Sequence, residues 1–158
     1  MGHDADRSIA AAERRATTVV WLVVNAVNLL QALGFVTRPF APWANSALGI
    51  VIALLALPAT YALAVFVRAG SGRLALAGPI AFDIFVILML AVDYVTRFEW
   101  RDPAVPVVQI PYLGLFFGSI LLMGLPMYSS DRRRWRVTAA TTALLLAAML
   151  YAMWRGVG

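Results

Sequence analysis

Five long apolar stretches, separated by short polar segments, organise this chain of 158 residues. Each stretch is long enough to cross a hydrocarbon core about 30 Å thick, because a helix rises about 1.5 Å per residue. The predicted transmembrane helices cover residues 17–36, 45–67, 74–95, 107–128 and 137–154. The pattern therefore predicts an all-α membrane protein, with a compact bundle of five transmembrane helices over residues 17–158 and a polar cytoplasmic tail over residues 1–16.

Two of these helices are less regular than the others. Pro58 lies inside the second stretch and predicts a kink, since proline lacks the backbone donor and clashes with the preceding turn. The fifth stretch is the shortest, and whether it crosses the membrane completely is left open here. All the connecting loops are short, so any chemistry has to take place between the helices.

The composition excludes several classes of protein. Apolar residues make up 62% of the chain and charged residues 13%, against about 45–50% and about 25% in soluble domains. All 13 basic residues are arginine, which excludes a retinal Schiff base because that linkage needs lysine. The chain has no cysteine and one histidine, His3, so we expect no metal or haem cofactor. With no visible nucleophile–base pair, an enzyme is the least favoured class.

The arginines are unevenly distributed between the two ends of the spans. Nine lie on the N-terminal side, namely Arg7, Arg14, Arg15, Arg68, Arg73, Arg132, Arg133, Arg134 and Arg136. Four lie on the opposite side, namely Arg38, Arg97, Arg101 and Arg155. By the positive-inside rule this predicts a cytoplasmic N-terminus and an outside C-terminus. We expect the protein in a bacterial-type cytoplasmic (inner) membrane.

Asp83 is the main candidate for an intramembrane functional group. It lies roughly 13 Å from the cytoplasmic end of the third span by helical rise, and an ionisable residue at that depth is a functional candidate by default. Polar residues of other spans share its depth, and we interpret them with Asp83 as one polar layer: Asn25, Asn28, Thr60, Tyr61, Ser119 and Thr142. Either Asp83 holds helices together by hydrogen bonds, or it forms a proton, cation or ligand site.

A second, shallower polar set lies near the outer ends of the spans. It comprises Gln31, Asp93, Tyr94, Gln109 and Tyr112. Arg97 and Arg101 follow Asp93 by four and eight residues, a spacing that suits ion pairs along a helix. We therefore predict a structural ion pair for Asp93, with a role in a transport pathway as the alternative.

Small residues at helical spacing predict close helix packing. Gly114 and Gly118 form a GxxxG motif in the fourth span, and Ala139, Ala143 and Ala147 repeat every four residues in the fifth. Such faces let helix backbones approach closely in a membrane. They either pack on each other or form an interface with a second copy or another membrane subunit.

A dense basic cluster precedes the fifth span. It comprises Arg132, Arg133, Arg134 and Arg136. Its charge accounts for the orientation of the neighbouring spans, and it also suits contact with anionic lipid head groups. The cluster is too small for a nucleic-acid surface, so we expect no nucleic-acid partner.

The size and the five spans are similar to those of the TspO family of tryptophan-rich membrane proteins. Arg38, Pro39, Pro42 and Trp43 before the second span resemble the first loop of that family. The tryptophan-rich second and third helices of the family have no counterpart here, and we transfer no ligand-binding residues.

These observations lead to two hypotheses for the function. The first is a non-enzymatic membrane component, either a subunit or a scaffold of a membrane complex, that acts through its small-residue faces. The second is a small transporter or binder of an apolar, lipid-like small molecule, with Asp83 as its polar contact. The expected partners are the lipid bilayer and, depending on the hypothesis, another membrane subunit, a second copy or an apolar small molecule.

Overall fold

The computed structural model describes residues 2–96 and 105–156. Helices account for 91% of these residues, and none of them forms a strand. The α-helices are α1 (Gly2–Thr37), α2 (Pro42–Leu54), α3 (Ala56–Ala69), α4 (Arg73–Met89), α5 (Pro106–Ser130) and α6 (Arg132–Trp154). Five helical segments are long and apolar enough to cross a membrane: Arg7–Thr37, Trp43–Ala69, Arg73–Val95, Pro106–Ser130 and Arg132–Trp154. The predicted set of five long apolar helices is confirmed.

The first helix extends well beyond the predicted apolar stretch. α1 begins at Gly2, inside the segment predicted as a polar tail. The hydroxyl of Ser71, between α3 and α4, donates a hydrogen bond of 2.6 Å to the Glu13 carboxylate. Ala16 is completely buried. The last turns before residue 17 therefore belong to the packed bundle.

The second span is divided in two by Pro58. α2 ends at Leu54 and α3 begins at Ala56, with the break at Leu55. Proline has no N–H to donate to the carbonyl four residues earlier, and its ring pushes that carbonyl, here Leu54, away. The kink predicted at Pro58 thus appears one turn earlier along the helix, where the lost hydrogen bond would have ended.

The third span ends in a π-helical turn. α4 runs to Met89, and Leu90–Val95 continues it with the wider π geometry. Tyr112 donates a hydrogen bond of 2.8 Å to the carboxylate of Asp93 on this turn. The arginines predicted to pair with Asp93, Arg97 and Arg101, lie outside the described residues, so that prediction stays untested.

The helices surround an aromatic core between α4 and α5. The Phe85 ring lies 5.4 Å from the Tyr112 ring in an edge-to-face arrangement and 5.2 Å from the Phe116 ring. α4 packs mainly on α5 and also on α3, whereas α1 packs mainly on α6 and also on α3. α6 therefore lies at the side of the bundle, attached chiefly to α1.

Candidate functional site

Hydrogen bonds join α1 to α6 within the apolar bundle. The Asn25 side-chain nitrogen donates to the Trp21 carbonyl (2.7 Å) and to the Thr138 hydroxyl oxygen (3.1 Å). The Asn25 side-chain oxygen accepts from the Thr141 hydroxyl at 2.7 Å. Asn25 and Thr138 are both buried. Both the oxygen and the nitrogen of the Asn25 amide group are thus engaged in hydrogen bonds inside the protein.

Asn28 continues this contact one turn further along α1. Its side-chain nitrogen donates to the hydroxyl oxygens of Thr141 (3.1 Å) and Thr142 (2.9 Å). Its side-chain oxygen is buried and has no hydrogen-bond partner among the described residues. Asn28 is completely shielded from the surroundings. Because Asn25 and Asn28 are three residues apart, they lie on the same face of α1.

Trp21 and Arg134 extend the contact towards the start of α6. The indole N–H of Trp21 donates to the Arg134 carbonyl at 3.3 Å, and the Arg134 guanidinium lies over the indole ring at 5.5 Å from its centre. Arg134 also donates to the Thr18 hydroxyl oxygen at 3.0 Å. We call the whole set the α1–α6 polar interface: Thr18, Trp21, Asn25, Asn28, Arg134, Thr138, Thr141 and Thr142.

Asp83 lies in a different part of the bundle. Its Oδ2 accepts a hydrogen bond of 3.0 Å from the Thr60 hydroxyl on α3. Its Oδ1 is buried and has no hydrogen-bond partner in the described ranges. Asp83 itself is half-buried and Thr60 is exposed on the outside of α3. The carboxyl group thus lies on the α3–α4 side of the bundle.

The polar residues predicted to form one layer are divided by the fold. Asn25 and Asn28 bond to α6, whereas Asp83 bonds to α3. The buried Ser119 hydroxyl donates to the Phe116 carbonyl of its own helix at 2.7 Å. Tyr61 is exposed next to Thr60. Asp83 and Thr60, which share a depth, are joined by a hydrogen bond. The α1 asparagines are not among the described hydrogen-bond partners of Asp83.

The small-residue motifs of α5 and α6 are turned away from the rest of the chain. A Cβ atom built on Gly114 or on Gly118 would meet no atom within 4 Å. Ala139, Ala143 and Ala147 are all exposed. We call the first pair the glycine face and the three alanines the alanine face. In the described helices, the glycine face and the alanine face do not pack on each other.

The closest approach of helix backbones occurs at a glycine outside those motifs. A Cβ atom on Gly78 of α4 would lie 2.7 Å from the backbone nitrogen of Met123 and 2.8 Å from its Cα. Real Cβ atoms do not come so close to a neighbouring backbone, so only glycine fits here. Gly78 is followed by Pro79 and has no GxxxG partner, which is why the sequence pattern did not reveal this contact.

The four arginines of the basic cluster differ in their surroundings. Arg132, Arg133 and Arg136 are exposed, and Arg134 is half-buried. Asp131 caps α6, because its carboxylate accepts from the backbone N–H groups of Arg133 (3.1 Å) and Arg134 (3.0 Å). Arg134 also forms an ion pair of 3.2 Å with Asp131. Three arginines therefore remain available for an external anion, while Arg134 is engaged in the α1–α6 polar interface.

No protein-family model, curated protein or solved structure matches this chain. In the parts of the chain that the structure describes, no group of three or more His, Cys, Asp or Glu side chains is placed to hold a metal ion. The function has to be argued from the arrangement of the helices and their polar contacts.

Proposed function

We propose that this protein is a structural component of a membrane complex, a subunit or scaffold that binds its neighbour through α6. The observation that carries the proposal is the division of α6 into two faces. Its threonine face is occupied by α1 through Thr138, Thr141 and Thr142. Its alanine face points away from the chain, and small residues are what allow helices to approach closely in lipid.

The glycine face of α5 supports the same interpretation. Gly114 is exposed and Gly118 is half-buried, and each would accept a Cβ without any contact inside the chain. Glycine disfavours a helix by about 0.8–1.0 kcal/mol relative to alanine in soluble hosts. Two glycines on an outward face are therefore best explained by an external helix that needs the space. The neighbour is either a second copy or another membrane subunit.

The proposed orientation places the N-terminus and the arginine cluster in the cytoplasm of a bacterial-type cell, with the bundle in its cytoplasmic membrane. The support is the excess of arginine on one side of the spans. Reporter fusions at the two ends, one active only outside and one fluorescent only inside, test the orientation. The exposed Arg132, Arg133 and Arg136 are then proposed to contact anionic head groups, at about 1 kcal/mol per residue.

Single cysteines test the assembly, since the chain has no cysteine of its own. Ala143→Cys places a thiol on the alanine face. Ile87→Cys is the matched control, because Ile87 lies on the outside of α4 and is 68% exposed. In native membranes under oxidation, Ala143→Cys is expected to give a disulfide-linked dimer and Ile87→Cys is not.

A different neighbour would give a different product at the same position. A photoreactive residue at position 143 then yields one adduct with a membrane subunit instead of the dimer. The proposal would be refuted if neither the disulfide nor the photoreactive residue at position 143 gave a cross-link and the protein were a monomer in native-lipid discs. Equal cross-linking at positions 87 and 143 would show random collisions and would count against it too.

A second candidate function is a small transporter or binder of an apolar, lipid-like molecule at Asp83. It is favoured by the buried Asp83 Oδ1, which has no hydrogen-bond partner among the described residues. Asp83→Asn keeps the size of the side chain and removes the charge. Uptake or binding that is unchanged in this variant, with a normal fold, would exclude the second candidate.

A further inference from the structure

A cavity of about 270 Å³ lies between α1, α5 and α6, near the end of α1. Its walls are mainly aromatic and sulfur-containing, and they include Phe116, Phe117 and Met149. At the other end of the same helices Gly124 of α5 faces the Thr138 methyl group of α6 at van der Waals distance. The cavity thus occupies the space between α5 and α6 at the end remote from that contact.

Three polar side chains line this apolar cavity: Gln31 of α1, Arg38 directly after α1, and Gln109 of α5. In the described ranges, the amide groups of Gln31 and Gln109 form no hydrogen bond with another residue. Both glutamines are half-buried. Their amide groups are therefore able to form hydrogen bonds with a ligand or with water in the cavity.

Arg38 supplies a positive charge at the mouth of the cavity. Its guanidinium lies over the Phe35 ring, 5.0 Å from the ring centre. With the Asn45 amide oriented so that its nitrogen donates to the Gly34 carbonyl (3.0 Å), its oxygen accepts from Arg38 Nε at 3.2 Å. These contacts fix the stem and one face of the guanidinium beside the cavity.

We propose that this cavity binds a single-chain amphiphile with an anionic head group. Arg38, with the amides of Gln31 and Gln109, binds the head, and Phe116, Phe117 and Met149 surround the chain. Guanidinium and amide N–H groups are donors, and charge-assisted hydrogen bonds to an anionic oxygen are the stronger ones. The apolar wall accommodates the hydrocarbon part, and the polar head determines whether the ligand stays in the cavity or in the surrounding lipid.

The size of the cavity limits the ligand to one chain. Ligand pockets commonly measure about 300–1,000 Å³, and this cavity lies just below that range. From Gln109 to Phe117 the cavity wall extends eight residues, or about 12 Å along the helix. A medium-length acyl chain fits that distance. The site is separate from Asp83 and does not depend on the proposed assembly through α6.

Equilibrium binding of radiolabelled dodecanoate to the full chain in phosphatidylcholine nanodiscs tests the proposal. Arg38→Gln is expected to weaken binding by about tenfold or more, because it removes the charge from the strongest donor. Arg155→Gln is the control, since Arg155 is an exposed arginine near the same end of the bundle and does not line the cavity. The neutral analogue 1-dodecanol is expected to bind more weakly than dodecanoate and to be insensitive to Arg38→Gln.

A second pair of variants tests the position of the chain. Leu113 lines the cavity, so Leu113→Trp is expected to abolish dodecanoate binding. Leu146→Trp is its control, because Leu146 points outward from α6. Binding that survives both Arg38→Gln and Leu113→Trp would place the amphiphile in the surrounding lipid and overturn the proposal, as would equal losses in the two control variants.

Competition identifies the source of the anionic group. Displacement of the label by unlabelled dodecanoate, without displacement by lysophosphatidylglycerol, indicates a free fatty acid as the ligand. Displacement by lysophosphatidylglycerol at lower concentration indicates the phosphate of a single-chain lipid. Both outcomes support an anionic head, whereas label that neither compound displaces is non-saturable partitioning into the nanodisc lipid and contradicts the proposal.

Discussion

The side-chain nitrogen of Asn28 lies 2.9 Å from the hydroxyl oxygen of Thr142, at the centre of the α1–α6 polar interface. The same nitrogen also reaches Thr141. In a bilayer, apolar surfaces of helices gain little by leaving lipid for each other, so packing and interhelical hydrogen bonds have to supply the attraction. The attachment of α6 to the bundle therefore depends on these bonds.

Asn28→Leu is expected to loosen α6 by about 0.6–2 kcal/mol, the range for interhelical hydrogen bonds in membranes. Thr142→Val is expected to have a smaller effect, since the Thr142 hydroxyl also donates to the Thr138 carbonyl of its own helix at 2.8 Å. Unfolding in mixed micelles of the two single variants and the double variant measures the coupling. Strictly additive effects would show that the two residues do not stabilise each other.

Gly78→Ala is expected to destabilise the protein by about 1–3 kcal/mol, because the new Cβ collides with the Met123 backbone, which cannot rotate away. Gly114→Ala is the matched control, since its Cβ would meet nothing within 4 Å. Thermal unfolding of the two variants as monomers in detergent measures the difference in their stability. A Gly78→Ala protein as stable as the Gly114→Ala protein would mean that α4 and α5 shift apart without loss.

Asp131→Ala is expected to cost about 0.5–2 kcal/mol, because α6 loses the side chain that accepts two backbone N–H bonds at its start. Asp131→Asn retains an oxygen in the same place and should keep most of that stability. Unfolding of both variants under the same conditions shows whether the helix cap or the ion pair with Arg134 contributes more to stability. If Asp131→Asn is as unstable as Asp131→Ala, the ion pair with Arg134 is the dominant contribution.

Asp83→Leu is expected to improve membrane insertion of the third span, because aspartate at a helix centre opposes insertion by about 2.5–3.5 kcal/mol and leucine favours it. The hydrogen bond from Thr60 reduces the gain in the folded protein. Glycosylation mapping measures the insertion of the third span, and thermal unfolding measures the stability of the folded protein. Asp93→Leu is the comparison, since that carboxylate lies near the end of its span. A loss of stability in Asp83→Leu would assign Asp83 a structural role.

The elements could be predicted from the sequence because the length of an apolar stretch is a local property. Pro58 likewise marked the break between α2 and α3, although the break falls at Leu55, directly after the Leu54 carbonyl that proline leaves without its donor. The identity of α6 as the partner of Asn25 could not be predicted, since threonines at a suitable depth occur on more than one helix. The spacing of the asparagines gives a face of α1 and does not say which helix covers it.

The small residues also show that the sequence does not reveal which helices come into contact. The GxxxG motif at Gly114 marks a face that the chain leaves open, while the tight contact is at Gly78, where no motif occurs. A small residue is necessary for close approach, but which backbone approaches is decided by the global arrangement. For the cavity, Gln31, Gln109 and Tyr112 were recognised as a shallow polar set, and only the structure adds Arg38 and the apolar walls.

The α1–α6 polar interface joins residues that are 113–116 positions apart in the chain. At a synthesis rate of about 5–20 residues per second, α1 is made roughly 6–23 s before the threonines that bond to it. During that interval Asn25 and Asn28 have to be accommodated by water, by the insertion machinery or by another protein. The order of synthesis therefore gives the bundle a late closing step, and a chain truncated before α6 would expose its two asparagines to lipid and to quality control.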